Sequence, residues 1–325
     1  MSERRRRWTT AGKIGVSVGL SAWLLARMLE RDGADALLER LGTLDLRWLV
    51  VAVALHGLAV LTGVLRWRTL LAAAGLSLPL AWLARSFLIG RFIGAFTPST
   101  TGLDGWRLFD AGKKTGALAK STAVIAVEKL VGLVGMALVC AALAPIGGAE
   151  LLGPSAIGVA LALAGGAILG LALMRRPALV ARVASILPRR LGAKIVGALA
   201  ELSLSLSTLT RATLLGVLSH LAISAVFWAT AGALGLEVDA WTLLTVGNAI
   251  VLAVLLPVSI GGVGVREGVA VMLLATASVA STDAVLVALL GYLTGQVPAL
   301  IGGALFALDK RADTSRLSPV ASSAA

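Results

Sequence analysis

Six predominantly apolar stretches of roughly twenty residues, near 12–29, 48–66, 119–143, 155–174, 212–234 and 284–308, dominate this chain. Each matches the about 20 helical residues needed to cross a hydrocarbon core about 30 Å thick. With 58% hydrophobic and 14% charged residues in 325, against roughly 25% charged in a soluble domain, the chain has too little polar surface to fold in water. In a bilayer every backbone N–H and C=O must be satisfied internally, so these runs read as helices. The expected fold is an all-α polytopic membrane protein. Two further apolar stretches, 80–96 and 242–256, are shorter, and each runs into a Pro/Gly-rich break.

Basic residues in short loops mark the cytoplasmic face. They cluster at Arg4 to Arg7, at Arg66 with Arg68, at Arg107 with Lys113, Lys114 and Lys120, and from Arg175 through Lys194. The intervening loops carry Glu30, Asp32, Asp35 and Asp45, then Glu150, then Glu237 and Asp239. Residues 1–11 read as a basic cytoplasmic N-terminus, 12–308 as the membrane domain and 309–325 as a disordered cytoplasmic tail, with both ends inside a cell (plasma) membrane. Because the clusters before and after 80–96 both belong inside, that stretch enters and leaves by one face. The segment 242–279, between Glu237/Asp239 and Asp283, re-enters from the opposite face. This gives about six full spans plus two re-entrant broken-helix hairpins. The competing arrangement has eight spans and exports the loop holding Arg175, Arg176, Arg182, Arg189, Arg190 and Lys194. A cleaved signal sequence is the alternative reading of the first span, which the charges after it disfavour. Trp48 and Trp67 bracket the second span about 28 Å apart, the spacing of interfacial anchors.

The two breaks align on their prolines. Pro98-Ser-Thr-Thr-Gly102-Leu-Asp104-Gly105-Trp-Arg107 and Pro257-Val-Ser-Ile-Gly261-Gly262-Val-Gly264-Val-Arg266-Glu267 share Pro-x3-Gly-x2-Gly-x-Arg. Each follows an apolar half-helix of opposite inferred polarity, the signature of an inverted-topology repeat with halves at about 48–143 and 212–308. Irregular backbone at membrane depth must line a protected or polar cavity. A returning half-helix offers its N-terminus to an anion, and Arg107 and Arg266 add guanidinium forks suited to phosphate. The bland alternative is a pair of interfacial loops whose arginines snorkel or neutralise Asp104 and Glu267.

Other ionisable residues at depth are costly and mark a path or a pair. Arg85 and Arg91 stand six positions apart, on opposite helix sides; Arg91, beside Gly90 and Gly94, is the cavity-facing candidate. Glu128 is expected to pair with Arg91 or Arg107 or to carry a proton, while adjacent Lys129 points about 100° away. His220, Asn248, Tyr292 and Gln296 read as interhelical glue. Cys140 with His56 and His220 offers too few ligands for a metal site. Gly112-Lys113-Lys114-Thr115 fails as a P-loop, since Arg107 and Lys114 stand where Gly and Ser or Thr are required. No cofactor, metal or catalytic group is expected, and no enzyme activity. The net charge of +12 points to lipid head groups, not nucleic acid.

Three segments carry a resemblance to a known family: Gly90-Arg91-Phe92 through Arg107, Val127-Glu128-Lys129-Leu130-Val131-Gly132, and Leu256-Pro257 through Glu267. They resemble the membrane-embedded flippase domain of lysylphosphatidylglycerol synthases, over about residues 12–308. Lys129 stands where many relatives have Arg, which keeps the charge but loses bidentate geometry. The resemblance implies movement between leaflets of a phosphate-bearing lipid, either an aminoacylated phospholipid or a polyprenyl-linked sugar. It also implies a stand-alone domain without the synthase activity, since fused relatives carry a further C-terminal domain. The expected binding residues are Arg91, Pro98, Gly102, Asp104, Gly105, Arg107, Glu128, Pro257, Gly261, Gly262, Gly264, Arg266 and Glu267. The alternative reading is a non-transporting lipid-binding scaffold that recruits a cell-envelope enzyme through the basic 175–194 loop.

Overall fold

A computed structural model of the chain describes residues 39–97, 101–174, 204–255 and 264–316, with isolated positions 176, 182, 193, 196–197, 201–202 and 262. The expected first span, the basic N-terminus, most of the 175–194 loop, and Pro98, Pro257 and Gly261 lie outside the described residues. Among the described residues the long elements are all α-helices: α1 (Leu46–Ala73), α2 (Leu80–Ala95), α3 (Thr101–Thr115), α4 (Leu118–Leu143), α5 (Ala149–Met174), α6 (Leu206–Ala233), α7 (Ala240–Leu255), α8 (Val265–Leu274) and α9 (Ser281–Arg316). Among the described residues four stretches are long and apolar enough to cross a membrane: Leu46–Ala73, Leu118–Ile146, Leu206–Ala233 and Ser281–Asp309. The expected 155–174 crossing is a shorter apolar run, Ile157–Ala172, in a helix kinked where Gly153 adopts φ 71 just before Pro154. The last helix continues to Arg316, past residue 309, where the sequence suggests the tail begins.

Matching local signals start and stop the equivalent helices. Asp45 caps α1 by accepting from the Arg47 backbone N–H at 2.9 Å, and the Ser205 hydroxyl caps α6 by accepting from Thr208 N–H at 3.1 Å, each satisfying an otherwise orphaned donor. Both helices end in a Schellman turn on a left-handed glycine. Gly75 has φ 73 and Gly235 φ 67; Leu76 N–H donates to Leu71 O at 2.9 Å and Leu236 N–H to Ala231 O at 3.0 Å. Helix starts 46 and 206, starts 80 and 240, and caps 75 and 235 all keep one spacing of 160 residues. The proline alignment of the breaks missed this longer correspondence, whose signal is Gly75-Leu76-Ser77-Leu78 against Gly235-Leu236-Glu237-Val238.

α1 and α6 pack antiparallel. Asp45 N–H donates to Ala233 O at 3.0 Å, Trp48 meets Trp228 edge-on at 4.8 Å, and Ser219 Oγ reaches Ala59 O. α2 runs antiparallel to α9, with Arg85 paired to Asp309 and Arg91 donating to Gly295 O at 3.1 Å. Between these contacts Gly302 presses so close to the Leu88 carbonyl that a Cβ there would collide with it. One hydrophobic cluster gathers around Trp67, Leu71, Leu83, Phe87 and Val127. A second gathers around Phe227, Leu243, Ile250, Leu274 and Leu286. Trp67, 1% exposed, is buried against Trp82; it is a core residue, not an interfacial anchor, because Trp82 of α2 folds over it.

The two breaks differ. In the second, Gly262 and Gly264 take φ 76 and 85 immediately before α8, so Arg266 stands at the second helical position. In the first, α3 resumes at Thr101, so Gly102, Asp104, Gly105 and Arg107 are helical and Arg107 lies almost two turns in. Gly102 serves packing instead of reversal: a Cβ there would stand 3.0 Å from the Gly94 Cα. Gly105 faces open space.

Candidate functional site

Two polar constellations lie within the helical bundle. The first joins α1, α3 and α4. Arg107, 3% exposed, donates through Nη1 to Glu128 Oε1 and Oε2 at 3.1 and 3.0 Å and through Nη2 to Asp104 Oδ1 at 2.6 Å. Arg66 Nε and Nη2 reach the same Glu128 Oε1 at 3.3 and 3.1 Å. Lys129 Nζ closes the chain on Asp104 Oδ2 at 2.5 Å. The Arg107 guanidinium also lies 4.8 Å from the Phe87 ring and 5.2 Å from the Trp67 ring, within cation–π range.

Helix periodicity explains this set. Asp104 and Arg107 are i,i+3 on α3 and share a face, whereas Glu128 and Lys129 diverge by about 100° on α4. That divergence sends Glu128 inward to the two arginines and Lys129 outward to Asp104. Three cations against two carboxylates leave one net positive charge. Glu128 thus meets Arg107, one of the two partners the sequence suggests, and also Arg66, which sequence reasoning passed over as a loop cation.

The second constellation surrounds a cavity of about 300 Å³, in whose wall every described helix except α4 and α5 takes part. Its polar side chains are Arg91, Arg266, His56, Tyr292 and Gln296. Arg91 Nη2 donates to Gly295 O at 3.1 Å, while its Nε is buried with no hydrogen-bond partner. The Arg266 guanidinium lies 4.3 Å over the Tyr292 ring. His56 Nε2 donates to Gly291 O at 3.0 Å, and Gln296 Nε2 to Tyr292 O at 3.1 Å. Gly291 and Gly295 let α9 pass close to Phe227 and His56. The rest of the wall is largely apolar, including Val226, Phe227, Ile250 and Val254.

Of the sequence candidates, Arg91 and Arg266 therefore share the cavity, whereas Asp104, Arg107 and Glu128 form the separate ion cluster. Gly262 packs against Val254, and a Cβ on it would come within 3.3 Å of Arg266 Nη2. Gly264 caps α8 and gives its N–H to Glu267 Oε2 at 2.6 Å. Glu267 is thereby turned back onto its own helix start and is absent from the cavity wall. His56, Tyr292 and Gln296 are the lining residues that periodicity alone did not single out; only their polarity within apolar runs marked the last two. Among the described residues no group of three His, Cys, Asp or Glu side chains is placed to hold a metal.

Chemically, the cavity offers two guanidinium groups in an apolar surround, where charge interactions are far stronger than in water. The model of the family described as "Lysylphosphatidylglycerol synthase TM region" matches residues 14–303. No curated protein matches the chain.

Proposed function

The chain belongs to the lysylphosphatidylglycerol synthase TM-region family, and from that premise we propose that it moves a phosphate-bearing lipid between the leaflets of the cell membrane. The observation that carries this reading is the pairing of Arg91 and Arg266 in one largely apolar cavity. A guanidinium suits a phosphate through paired N–H donors, and the apolar remainder of the wall suits the start of lipid tails. The head group enters the cavity while the tails stay in the bilayer.

The constant spacing of 160 residues and the antiparallel α1 and α6 support two inverted halves that rock about the cavity and open it to each leaflet in turn. In this reading 80–96 and 242–279 are re-entrant, and both chain ends are cytoplasmic. Arg107, Glu128 and Asp104 act at one remove, fixing α3 against α1 and α4 beside the substrate path.

The test is translocation of a fluorescent phospholipid in reconstituted vesicles, read by quenching from outside. A charge-assisted hydrogen bond is worth about 1.5–3 kcal/mol, so Arg91→Ala and Arg266→Ala are each expected to slow translocation about tenfold or more, with the folded yield unchanged. A double variant that folds and translocates at the parent rate refutes the proposal.

A further inference from the structure

We propose that the open groove between α1 and α6 is a second lipid seat, distinct from the cavity, and that it holds the head group of an anionic bilayer phospholipid. The proposal needs only that both helices cross a bilayer, for which both are long and apolar enough. The groove encloses about 1160 Å³, and its walls set two arginines above a row of leucines.

Helix periodicity puts the charges there. Arg66 and Arg68 stand two positions apart, about 200° around α1, so the turn that brings Arg66 to Glu128 sends Arg68 to the opposite, exposed side. On α6, Arg211 is exposed in the same groove. The antiparallel register, with Asp45 at Ala233 and Ala59 at Ser219, sets Arg68 level with Thr210, one residue from Arg211. The two arginines therefore leave opposite walls at one depth.

That depth suits a head group. Each helix has 28 residues, about 42 Å, so when centred on a core about 30 Å thick it overhangs by about 6 Å at each end. Arg68 and Arg211 each stand five residues from their helix end, about 8 Å, at the boundary between head groups and tails. Ser207 and Thr210 add hydroxyls on the outer side, while Leu65, Leu214, Leu215 and Leu218 continue the groove one to two turns toward the bilayer centre.

Among the described residues no acid engages these guanidinium groups. Neither Arg68 nor Arg211 has a hydrogen bond or ion pair there, and none of the lining residues is Asp or Glu. The stretch leading into α6, residues 175–200, holds six Lys or Arg and no Asp or Glu, and Glu201 accepts from Lys120 Nζ at 2.7 Å. Two unspent guanidinium forks match phosphate oxygens through paired donors. Their joint charge is balanced further by a net-anionic head group than by a neutral one. The first apolar stretch of the chain, 12–29, lies outside the described residues; it carries Lys13 and follows Arg4 to Arg7, the same sign as the groove, so charge selects a phospholipid over it.

Native mass spectrometry of the purified full chain in detergent, titrated with phosphatidylglycerol or with phosphatidylcholine of identical tails, tests the inference. Arg68→Gln/Arg211→Gln is expected to raise the Kd of one bound phosphatidylglycerol about tenfold or more and to leave phosphatidylcholine binding unchanged. Arg91→Gln/Arg266→Gln is expected to retain that phosphatidylglycerol, which separates the groove from the cavity. On the parent chain, a phosphatidylglycerol with a photoreactive group in its tail is expected to mark α6 between Leu214 and Leu218.

Equal phosphatidylglycerol binding by the parent and the groove variant overturns the inference, because the arginines then only snorkel to water. Equal binding of the two lipids by the parent overturns the anionic requirement. A parent chain left unmarked between Leu214 and Leu218 has its groove covered by protein, either residues 12–29 or a second copy, and this too overturns the inference. Each of these results leaves the reading of the Arg91 and Arg266 cavity standing.

Discussion

Glu128→Gln is the sharpest test of how this bundle is held together. Glu128 is 3% exposed and accepts four hydrogen bonds from two guanidinium groups, at 3.0 to 3.3 Å. Glutamine preserves the shape and keeps one carbonyl oxygen for Arg66 or Arg107. Its amide nitrogen then faces donors with a donor, and the cluster of three cations and two carboxylates is left with a single carboxylate. Removing one partner of a buried ion pair costs about 3–5 kcal/mol, because the remaining charge stays uncompensated. That is a large share of the roughly 5–15 kcal/mol by which a fold is stable. Trp67, 5.2 Å from the Arg107 guanidinium, is one of eight tryptophans through which intrinsic fluorescence follows thermal unfolding in mild detergent. The expected result is a marked drop in midpoint for Glu128→Gln and for Arg107→Met, with the double variant less destabilised than the two losses added. A shift for Glu128→Gln below about 1 kcal/mol, the range of exposed pairs, refutes the reasoning, because the cluster must then be hydrated and screened.

Gly302→Ala drives a methyl group into the Leu88 carbonyl, and since backbone cannot swing aside as a side chain does, a loss of about 1–3 kcal/mol is expected in the same unfolding assay; an unchanged midpoint contradicts the close α2–α9 crossing. Asp239, exposed at the start of α7, accepts from the Thr242 backbone N–H at 2.9 Å, and hydrogen bonds from Thr242, side chain first and backbone second, hold its carboxyl below the ordinary 3.8. A lowered folded-state pKa means the stabilisation is complete above 3.8 and is lost as pH falls through the folded value. Asp239→Ala should therefore cost about 0.5–2 kcal/mol at neutral pH, and the gap to the parent should close on acidification below 3.8; a gap that widens there is the wrong sign. In a Cys140→Ser background, Lys113→Cys is expected to react with an impermeant thiol reagent only from the cytoplasmic side, and labelling from outside removes the re-entrant arrangement of α2 and α3.

The helices were legible because their signals are local. Apolar runs act over a few residues, so a linear reading finds them; the Ser205 cap and the glycines at 75 and 235 are equally local but carry no apolar signal and emerged only with the structure. The exposure of a tryptophan is not local: Trp67 looks like an interfacial anchor in one dimension, yet Trp82 from the next helix buries it. The shared Pro-x3-Gly-x2-Gly-x-Arg spacing misled for a related reason. Glycine permits a left-handed turn but does not compel one. Gly262 and Gly264 take that conformation, whereas Gly102 and Gly105 stay in the helical register of α3.

What decides whether an arginine in such a bundle serves a ligand or the fold is the set of acids within its reach. Arg107 has Asp104 one turn back and Glu128 on the adjoining helix, so its Nη donors are spent on carboxylates and a phosphate would have to displace both. Arg266 has Glu267 beside it, and that carboxylate also accepts from the Gly264 N–H at the cap that starts α8, while the guanidinium lies over the Tyr292 ring and lines the cavity. Arg91 then becomes the second cation of the cavity, because α2 lies along α9 and brings it to Gly295. The two motif arginines thus part company: the first stiffens the junction of α1, α3 and α4, and the second faces the cavity with a cation from the other half of the chain. On the proposed function, a cavity lined from both stretches of the chain is one that would change shape as they moved against each other, which is the coupling that alternating access requires.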